Sequence, residues 1–556
     1  MIKVLPIGLE DYIQATNTYY VDKTTIIKDI IDYFVGKSVL ITRPRRFGKS
    51  LMLSMLDYFF TNKGDFAKYF ENKEILTLGQ TYKDLLNKFP VIHLNMKNVY
   101  ADSEETLISN TIDLISNLYA QFDELLYSDK LTDFEKEEFE NVLKKKSDDR
   151  KDYVFSILRL SEFLYKHYEK KVIILLDEYD TPLEISFQKK FYDKVIEFYS
   201  KFYSSFLKGN NYLYFSIITG VLEIAKESIF SDLNNLNVFD VTEDTFIEYF
   251  GFTEDDVRKI FKDFDCNFDF EQVKKWYGGY GNKRVEIFNP WSILNLISKE
   301  RFLPYWVNSG SNETINNLIS EFDGSLILLN RLIQNKNELF SYTNTTSYKD
   351  IKHDFKTLCS YLVQSGYLVA EYSGYEDKFI LRVPNYEISK LFTEEIIARN
   401  IPDKNLSTAN VLKEALISGD TNKITRALED HILQSYSYYD LKSEKEYQIM
   451  LVAIFATLFF SHIVKSEVNN SNGRCDIMVK PKENNDVGMV IELKKYKGRL
   501  SESRLSALSK KAIDQIKDLR YYTELEQYGV KKILLYGFAF DDHKEKISFE
   551  EIESKK

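Results

Sequence analysis

The strongest constraint on the fold is a strand-like segment that runs directly into a glycine-lysine-serine triplet. Residues 38–42 read SVLIT, the next eight read RPRRFGKS, and an apolar helical segment, LMLSMLDYFF, follows. A strand, a loop ending in Gly48, Lys49 and Ser50, and a helix form the context of a phosphate-binding loop, because glycine admits a phosphate to the backbone and a helix start attracts anions. The usual pattern has glycine where this chain has Arg43. The segment alone therefore leaves open a basic turn that only resembles such a loop.

Three further apolar runs in the first part of the chain have the character of buried strands: PVIHLNM at 90–96, VIILL at 172–176 and LYFSIIT at 213–219. Longer charged segments of helix-favouring composition separate them. Strands that alternate with helices are typical of a parallel sheet with helices on its faces. The sequence therefore predicts an α/β fold here.

The VIILL run ends in acids. Its carboxyl end carries Asp177 and Glu178, and the next strand ends in Thr219. There an aspartate can join Ser50 in holding Mg²⁺, a glutamate can orient or polarise the attacking water, and a threonine can sense the γ-phosphate or place that water. For Thr219 a plain strand end is an equal alternative, and Asp180 is either a supporting acid or a helix cap. The acids and the loop on one sheet favour a nucleotide site over a basic turn.

The sequence pattern changes at about residue 241. Short helical stretches interrupted by WYGGYGN and NPWS suit a small helical lid. The next stretch reads as helix, hairpin and helix, which predicts a winged-helix-like module. Amphipathic helices then lead to a second α/β unit with the strand patterns CDIMVKP, GMVIELKKY and KKILLYGFAF. We therefore expect four parts, at residues 1–240, 241–325, 326–404 and 405–556.

The second α/β unit contains a pattern of two acids and a lysine. Asp476 begins one strand, and Glu492 and Lys494 lie on the next, where alternation puts both on one face and Leu493 on the other. Two carboxylates suit a hard divalent cation such as Mg²⁺, while the lysine positions or deprotonates a water and offsets charge on a phosphodiester. The arrangement resembles the PD-(D/E)XK nuclease core, although an acid followed by Glu-x-Lys also arises by chance.

Two more side chains and a basic stretch extend this pattern. On the preceding helix, Glu444 shares a face with Tyr447 and is the expected third metal ligand, with Glu446 as the alternative. Gln515 resembles the helical glutamine of several nuclease branches. Residues 491–520 carry nine Lys or Arg against four Asp or Glu, which makes this stretch a candidate phosphate-facing surface.

Composition limits the remaining classes of protein. The net charge of −11 argues against a protein that coats nucleic acid by bulk electrostatics, but it permits a local basic patch. Cys266, Cys359 and Cys475 lie far apart and match no metal spacing, which fits a reducing compartment. The first residues lack a signal-peptide pattern, and no apolar run reaches the roughly 18 residues of a membrane span. We expect a cytoplasmic protein with no membrane partner.

Together the motifs resemble the bacterial and archaeal AAA-ATPase-like family that carries a nuclease-like C-terminal domain. The motifs are YYVDKT, RPRRFGKS, LLDEYDTPL, ITGVLEIAKESIFSDLNNL, WYGGY, NPWSILN and YWVNSGSN, and they span nearly the whole chain. The resemblance implies an α/β fold class: a P-loop NTPase parallel sheet with a helical lid, a winged-helix-like middle module and a C-terminal PD-(D/E)XK nuclease-like α/β domain.

The resemblance also implies ATP and Mg²⁺ as cofactors and a variant loop in which arginine at position 43 is normal. The residues expected around the nucleotide are Tyr20, Asp22, Lys23, Arg46, Phe47, Gly48, Lys49, Ser50, Leu51, Asp177 and Thr219. Two departures from the family pattern are evident. Glu223 replaces an arginine or other polar residue, which puts a charge-neutralising role there in doubt. Gln448 replaces a histidine, which leaves the roles at that end of the nuclease-like site open.

Two functions are consistent with these patterns. The first is an ATPase that controls a Mg²⁺-dependent nuclease acting on nucleic acid, DNA above all, in defence or mobile-element biology. The acids and lysine at Asp476, Glu492 and Lys494 favour it. The second is a nucleotide-switched signalling or scaffold protein with an inactive nuclease-like binding domain, which the overall negative charge favours. Homo-oligomerisation and the arginine that completes the ATP site stay open.

Overall fold

A computed structural model describes most of the chain, in two compact units. The described residues are 4–146, 150–224, 236–309, 338–342, 354–376, 378–392, 406–435, 443–459, 462–470, 473–481, 486–542 and 544–554, with a few short pieces between 315 and 351. The first unit comprises Met1–Leu318 and Glu338–Ile388, and the second comprises Ile319–Asn337 and Ser389–Lys556. The four-part division expected from the sequence stays a prediction.

The first unit is built on a parallel sheet of five strands. The strands are β1 (Ser38–Thr42), β2 (Val91–Asn95), β3 (Val172–Asp177), β4 (Leu213–Gly220) and β6 (Leu236–Phe239), in the order β2-β3-β4-β1-β6. All residues of β1 and β3 are buried, as expected for parallel strands covered by helices on both faces. The predicted α/β fold class is confirmed.

The register of this sheet brings the carboxyl ends of its strands together. Thr42 pairs with Gly220, and Asn95 pairs with Asp177. In a parallel sheet with a crossover order, this edge is where ligands bind. The loop after β1 and the acids after β3 therefore lie at one edge.

Helices and smaller sheets complete the first unit. The helices are α1 (Tyr12–Thr16), α2 (Ile26–Tyr33), α3 (Lys49–Phe60), α4 (Gln80–Lys83), α5 (Glu104–Ala120), α6 (Asp133–Leu143), α7 (Arg150–Val154), α8 (Ser156–Tyr168), α9 (Thr181–Gln188), α10 (Tyr192–Leu207), α11 (Glu254–Asp263), α12 (Phe270–Tyr277), α13 (Pro290–Lys299) and α14 (Phe355–Gln364). Helix α15 (Tyr386–Leu391) begins in the first unit, whose last residue is Ile388. Short 3₁₀ helices span Ala67–Tyr69, Glu74–Thr77, Met96–Asn98, Asp123–Tyr127, Ile247–Tyr249 and Val307–Ser309. The remaining strands are β5 (Glu223–Ile224), β7 (Phe252–Thr253), β8 (Tyr280–Gly281), β9 (Glu286–Phe288), β10 (Glu338–Ser341), β11 (Thr345–Thr346), β12 (Val369–Tyr372) and β13 (Lys378–Arg382).

Two small antiparallel sheets follow the main sheet along the chain. Strands β7, β9 and β8 form one, beside the short helices α11 to α13. Strands β10, β13 and β12 form the other, and α14, the β12–β13 hairpin and α15 give the order helix, hairpin and helix that the sequence indicates. The second sheet thus belongs to the stretch expected to be winged-helix-like.

The second unit is a mixed sheet with helices on both faces. Its helices are α16 (Leu406–Ser418), α17 (Thr421–Ser435), α18 (Glu444–Leu458), α19 (Glu502–Asp518) and α20 (Thr523–Tyr528). Its strands, in sheet order, are β14 (His462–Asn470), β15 (Gly473–Pro481), β16 (Gly488–Lys495), β17 (Lys532–Phe540) and β18 (Glu545–Glu553). Only β16 and β17 run parallel among these neighbours.

Alternating side chains of β16 enter two different cores. Ile491 and Leu493 pack with α16, α17 and α18, while Val490 packs with Ile513 and Ile516 of α19. Strand β17 permits this close packing, because a Cβ at Gly537 would lie 2.1 Å from the Ser509 carbonyl oxygen of α19. The face of β16 that carries residues 490, 492 and 494 therefore meets α19.

None of the helices in the described part of the chain is long and apolar enough to cross a membrane.

Candidate functional sites

The loop after β1 has the backbone geometry of a phosphate-binding loop. Gly48 takes a left-handed conformation (φ 90°) immediately before α3, and this conformation rather than lack of space requires glycine, since a Cβ there would meet nothing within 4 Å. Lys49 is 4% exposed, and its Nζ donates to the carbonyl oxygens of Arg43 (3.0 Å) and Pro44 (3.2 Å). The loop thus wraps around its own lysine.

Arg43, which replaces the usual glycine, is directed away from this loop. It is 4% exposed, and burial lowers the pKa of its guanidinium to about 10. The guanidinium donates four hydrogen bonds to main-chain carbonyl oxygens, at distances of 2.7 to 3.2 Å, and the acceptors are Thr42, Phe239, Asp240 and Thr245. Arg43 therefore ties the start of the loop to the end of the neighbouring strand β6.

The acids after β3 are held in two different ways. Asp177 is fully buried, and its carboxylate accepts from Thr219 Oγ1 (2.5 Å) and Asn95 Nδ2 (3.1 Å). Glu178 takes a left-handed conformation with φ 53°, which is uncommon for a residue with a side chain. At the turn after β3, Asp177 is thus buried with neutral hydrogen-bond donors, whereas Glu178 is partly exposed.

A cavity of about 410 Å³ lies beside the loop. The expected residues that line it are Tyr20, Lys23, Arg46, Phe47, Gly48, Lys49, Ser50, Leu51 and Glu178. Asp22, Asp177 and Thr219 do not line it. Asp22 instead accepts from the Thr24 backbone N–H, the Thr24 hydroxyl and the Glu74 backbone N–H, so it supports the loop next to Tyr20 and Lys23.

Two residues of this cavity, Glu184 and Trp291, were not expected from the sequence. Arg45, one of the loop arginines left open as the residue that completes the ATP site, also lines it. Arg46 places its Cζ 4.4 Å from the centre of the Trp291 ring. Asn95, which holds Asp177, is a further addition. Its position at the carboxyl end of β2, level with Asp177, is the one signal that could have revealed it.

Asp180 does not act as the helix cap that the sequence offered as one alternative, and its role as a supporting acid stays a prediction. It precedes α9 but its side chain makes no capping bond. Its Oδ2 accepts from the backbone N–H groups of Val221 (2.8 Å) and Leu222 (2.9 Å). Burial, together with the nearby Glu178, raises the pKa of Asp180 to about 7. Asp180 thus joins the turn after β3 to the end of β4.

The second unit brings Asp476, Glu492, Lys494 and Gln515 together. Glu492 is 3% exposed, and its Oε1 accepts from Lys494 Nζ (2.8 Å) and Gln515 Nε2 (2.5 Å). Asp476 Oδ2 accepts from the Leu493 backbone N–H (2.7 Å). Burial raises the pKa of Glu492 to about 7, Asp476 adds to that rise, and burial likewise raises the pKa of Asp476. This concentrated pair of acids is suited to neutralisation by a bound cation.

The end of α18 lies at the same place. Glu444 Oε2 accepts from the Lys495 backbone N–H (3.1 Å), and Gln448 Nε2 donates to the Asp476 carbonyl oxygen (2.8 Å). Glu444 adds to the negative potential at Asp476. The side chain of Glu446 lies outside the described residues. Gln448 therefore supports the strand that carries Asp476.

Two family models match the chain in the regions of these sites. Residues 6–230 match the family described as "Predicted AAA-ATPase", and residues 442–550 match the "PD-(D/E)XK nuclease superfamily". The chain joins an AAA-ATPase-like domain to a PD-(D/E)XK nuclease-like domain. A protein of Azotobacter chroococcum mcd 1, described as "Uncharacterized protein in vnfD 5'region", is 24% identical over 501 residues, which cover 86% of this chain and 87% of that protein. The resemblance inferred from the motifs is confirmed.

The donor set of the nuclease-like domain fits a hard cation such as Mg²⁺. Glu492 Oε2 is buried and has no hydrogen-bond partner among the described residues, which is costly unless a ligand binds it. Carboxylate oxygens of Asp476 and Glu492 are the donors that Mg²⁺ prefers. No group of three or more His, Cys, Asp or Glu suited to a metal occurs in the described part of the chain, so two carboxylates would leave the remaining positions to water, as is usual for Mg²⁺.

The AAA-ATPase-like domain also offers hard oxygen donors. Ser50 and Glu178 both line the cavity, and hydroxyl and carboxylate oxygens with water suit Mg²⁺ on a nucleotide. Asp177 does not line this cavity.

A basic strip adjoins the nuclease-like site. Lys497, Arg499, Arg504, Lys510 and Lys511 are exposed and form no ion pair with any described residue. All five follow β16 or belong to α19, which supplies Gln515. Positive charge without a protein partner is suited to a phosphate backbone.

Proposed function

We propose that this protein is an ATP-hydrolysing enzyme whose nuclease-like domain cleaves nucleic acid, DNA in particular, with Mg²⁺. The observation that carries the proposal is the cluster around Glu492. One of its oxygens is fixed by Lys494 and Gln515, and the other is buried and has no hydrogen-bond partner within the part of the chain that the structure describes. A buried carboxylate oxygen without a hydrogen-bond partner is costly unless a ligand binds it.

Within this proposal, Asp476 and Glu492 hold Mg²⁺, and Glu444 joins through water. When bound, Mg²⁺ supplies positive charge that stabilises the charge developing on the scissile phosphodiester. Lys494 orients the attacking water and offsets the same charge. Gln515 keeps the Glu492 carboxylate in position, because it binds the oxygen that the metal does not use.

In the AAA-ATPase-like domain, Lys49 binds the β- and γ-phosphates of ATP after it leaves the two carbonyl groups of its own loop. Ser50 binds Mg²⁺, and Asp177 supports the water around that ion. Glu178 orients the water that attacks the γ-phosphate. Tyr20, Lys23, Phe47 and Leu51 surround the rest of the nucleotide. ATP binding and hydrolysis would control cleavage, and the domain pairing suits a cytoplasmic defence or mobile-element protein.

The decisive experiment is a cleavage assay on single- and double-stranded DNA and RNA, with Mg²⁺ or EDTA and with or without ATP. Asp476→Ala should abolish cleavage, whereas Asp514→Ala, which removes an exposed acid of α19, should leave it unchanged. Equal cleavage by the Asp476→Ala and Asp514→Ala proteins would contradict the nuclease assignment.

The ATPase assignment is tested separately, by phosphate release and by binding of a fluorescent ATP analogue. Lys49→Ala should lose both, and Lys83→Ala, at an exposed position of α4, should keep both. Normal hydrolysis by the Lys49→Ala protein would overturn it.

A second function, a nucleotide-switched binding protein without cleavage, is favoured by one observation. Lys494 already pairs with Glu492 at 2.8 Å and offsets its charge. Under this function the domain would bind DNA equally well in EDTA and in Mg²⁺, and no condition of the assay above would yield cleaved product.

A further inference from the structure

The arginines of the phosphate-binding loop separate toward different surroundings. Arg43 binds main-chain carbonyl groups, whereas Arg45 and Arg46 both line the cavity. Arg46 has a left-handed backbone (φ 67°), which turns its side chain onto the Trp291 ring, and its Nη1 lies 3.9 Å from Glu10 Oε1. Arg46 thus belongs to the aromatic end of the cavity.

Arg45 belongs to the acidic end. Arg45 is exposed, and its guanidinium is near Tyr367, Glu184 and Tyr361. Partial desolvation disfavours its charge, but these neighbours together outweigh that effect and raise the pKa of Arg45. Burial raises the pKa of Glu184, Arg45 opposes that rise, and Glu178 adds to it. Arg45 and Glu178 therefore both act on the charge of Glu184, and both line the cavity. Glu178 is the residue assigned to the attacking water.

The main chain of Arg45 is fixed by a residue from the C-terminal side of the cavity. Trp306 Nε1 donates to the Arg45 carbonyl oxygen (2.9 Å), and Trp306 is 4% exposed. This bond sets the direction of the loop at Arg45, while its side chain extends into the cavity. A fixed backbone limits the reorganisation needed when charge develops nearby.

The lysines Lys23 and Lys97, which also line the cavity, are paired with acids. Lys97 donates to both carboxylate oxygens of Glu10, and Lys23 donates to Asp256 and to a main-chain carbonyl group. The described residues between 290 and 309 that line the cavity carry no positive charge: Pro290, Trp291, Leu294, Trp306, Val307 and Ser309. The loop itself is thus the source of positive charge beside Glu178.

We propose that Arg45 is a catalytic residue that stabilises the transferring γ-phosphoryl group from within the same chain. This inference rests on the proposed ATPase function. In the reaction, a bond forms between the water oxygen and the γ-phosphorus, and the bond from that phosphorus to the bridging oxygen breaks with its electron pair leaving on ADP. One water proton passes to Glu178 and then to solvent. Arg45 donates to the γ-phosphoryl oxygens, whose negative charge Lys49 and Arg45 share.

Steady-state kinetics and a transition-state mimic test this assignment. An arginine that acts on the transferring phosphoryl group is worth about 10³-fold or more in kcat. We therefore expect Arg45→Ala to lower kcat by about 10³-fold, with the Kd for a fluorescent ATP analogue changed by less than about 5-fold. The variant should also lose tight binding of ADP with aluminium fluoride. Arg45→Lys should recover little, since a lysine lacks the planar fork of the guanidinium.

Two variants serve as comparisons. Arg46→Ala should raise KM more than it lowers kcat, because Arg46 lies at the aromatic end. Arg159→Ala, at an exposed position of α8, should match the wild type. Circular dichroism and melting temperatures show whether Arg45→Ala is folded, and the Arg45→Lys protein provides the same kinetic comparison if it is not.

A mixing experiment tests whether the arginine acts within one chain. Arg45→Ala and Lys49→Ala proteins mixed together should remain inactive, whereas an arginine donated to a neighbouring copy would restore hydrolysis and overturn the proposal. A kcat within about 5-fold of wild type for Arg45→Ala would overturn it too. If the wild-type protein itself hydrolyses no ATP, the proposed ATPase function fails, and the arginine assignment fails with it.

Discussion

The two sites of this protein combine a lysine with acids in opposite ways. In the AAA-ATPase-like domain, Lys49 donates to two carbonyl groups, while Asp177 accepts from a threonine and an asparagine. In the nuclease-like domain, Lys494 pairs directly with Glu492 at 2.8 Å. Neutral groups satisfy the charges of the first site separately, and the charges of the second satisfy each other.

This difference determines what each site must give up to bind its ligand. Lys49 exchanges weak carbonyl partners for phosphate, and its charge is not already neutralised by an acid. Glu492 can bind a cation only in the presence of a competing ammonium group on its other oxygen. The first lysine should therefore promote ligand binding, and the second should oppose metal binding while it promotes chemistry.

The largest expected effects come from replacing each of the two lysines with methionine, which should change ligand affinity in opposite directions at the two sites. Lys49→Met should weaken ATP binding by at least about 10-fold, since it removes charge-assisted hydrogen bonds to phosphate. Lys494→Met should lower cleavage by about 10³-fold, because the group that orients the water is lost. The same variant should bind Mn²⁺, used as a probe for Mg²⁺, about 5-fold more tightly, because the competing charge near Glu492 is gone.

Calorimetric titration with Mn²⁺, fluorescence titration with an ATP analogue and the cleavage assay measure these changes. In the Mn²⁺ titration, Lys497→Met, which removes an exposed lysine near the nuclease-like site, is the control for a general loss of positive charge. Weaker Mn²⁺ binding by the Lys494→Met protein would show that Lys494 assembles the metal site instead of competing with it, and the contrast between the two sites would disappear.

A smaller effect tests the neutral partners of the first site. Thr219→Val removes the hydroxyl group that donates to the buried Asp177, and hydrogen bonds to charged groups contribute more than neutral ones. The free energy of unfolding should fall by about 2 to 3 kcal/mol. The matched control is Ser216→Ala on the same strand, which removes a neutral hydroxyl pair with Ser38 and should cost about 1 kcal/mol. Equal costs in denaturant titrations would mean that the bond from Thr219 to Asp177 contributes no more than the neutral bond between Ser216 and Ser38.

A third carboxylate, which pairs with no lysine among the described residues, sharpens the comparison. Glu387 is 1% exposed and accepts from the Trp306 N–H (2.6 Å), the Val307 N–H (3.4 Å) and the Ser292 hydroxyl (2.8 Å). Burial raises the pKa of Glu387 to about 7, although these donors oppose the rise. A pKa above the unfolded value means that the stabilisation by Glu387 is complete below about pH 4.5 and is lost as the pH rises through about 7.

Glu387→Gln should remove this dependence on pH. The stability of the wild type relative to the variant should fall by about 2 kcal/mol between about pH 5.5 and pH 7.5, as measured by denaturant unfolding at each pH. Glu137→Gln, at an exposed position of α6, should give a profile parallel to the wild type. A parallel profile for Glu387→Gln as well would show that the carboxyl group titrates in its ordinary range.

The sequence predicts the central strands better than the edge strands. The runs at 38–42 and 213–219 correspond closely to β1 and β4, because buried parallel strands are continuously apolar. Strands β14 and β18, which form the two edges of the second sheet, were not expected. Their sequences, HIVKSEVNN and EKISFEEIE, mix charged and apolar residues, and such a pattern also suits a polar loop.

The residue types of both sites could be predicted, but not the direction of each side chain. Glu492 and Lys494 share a face because alternation along a strand is strict. The direction of the Arg43 side chain depends on carbonyl groups about two hundred residues later in the chain. These groups lie beside Arg43 only because β6 pairs with β1. The separation of Arg45 from Arg46 depends on a positive φ at Arg46. Local sequence determines neither of these features.

The smallest expected effect concerns exposed cations that form no ion pair with an acid among the described residues. Lys497 and Arg499 follow β16 and form no ion pair with the described residues, whereas Lys517 and Arg520, in and just after α19, pair with Glu550 and Glu526. A double Lys497→Ala and Arg499→Ala variant should weaken DNA binding about 10-fold near 0.1 M salt and reduce the slope of log K against log salt by about 2. Fluorescence anisotropy at several salt concentrations measures both.

The paired cations provide the control for this prediction. A Lys517→Ala and Arg520→Ala double variant removes the same formal charge, but from positions where an acid already neutralises it. Its DNA affinity should change by less than about 3-fold. A cation that is already paired with an acid makes only a weak contact with a DNA phosphate, and such a contact releases few of the counterions bound to the DNA. If both double variants lose affinity equally, net charge controls binding and the strip after β16 is not a specific contact surface. If the first variant alone loses affinity, DNA lies along the strip that leads to Lys494.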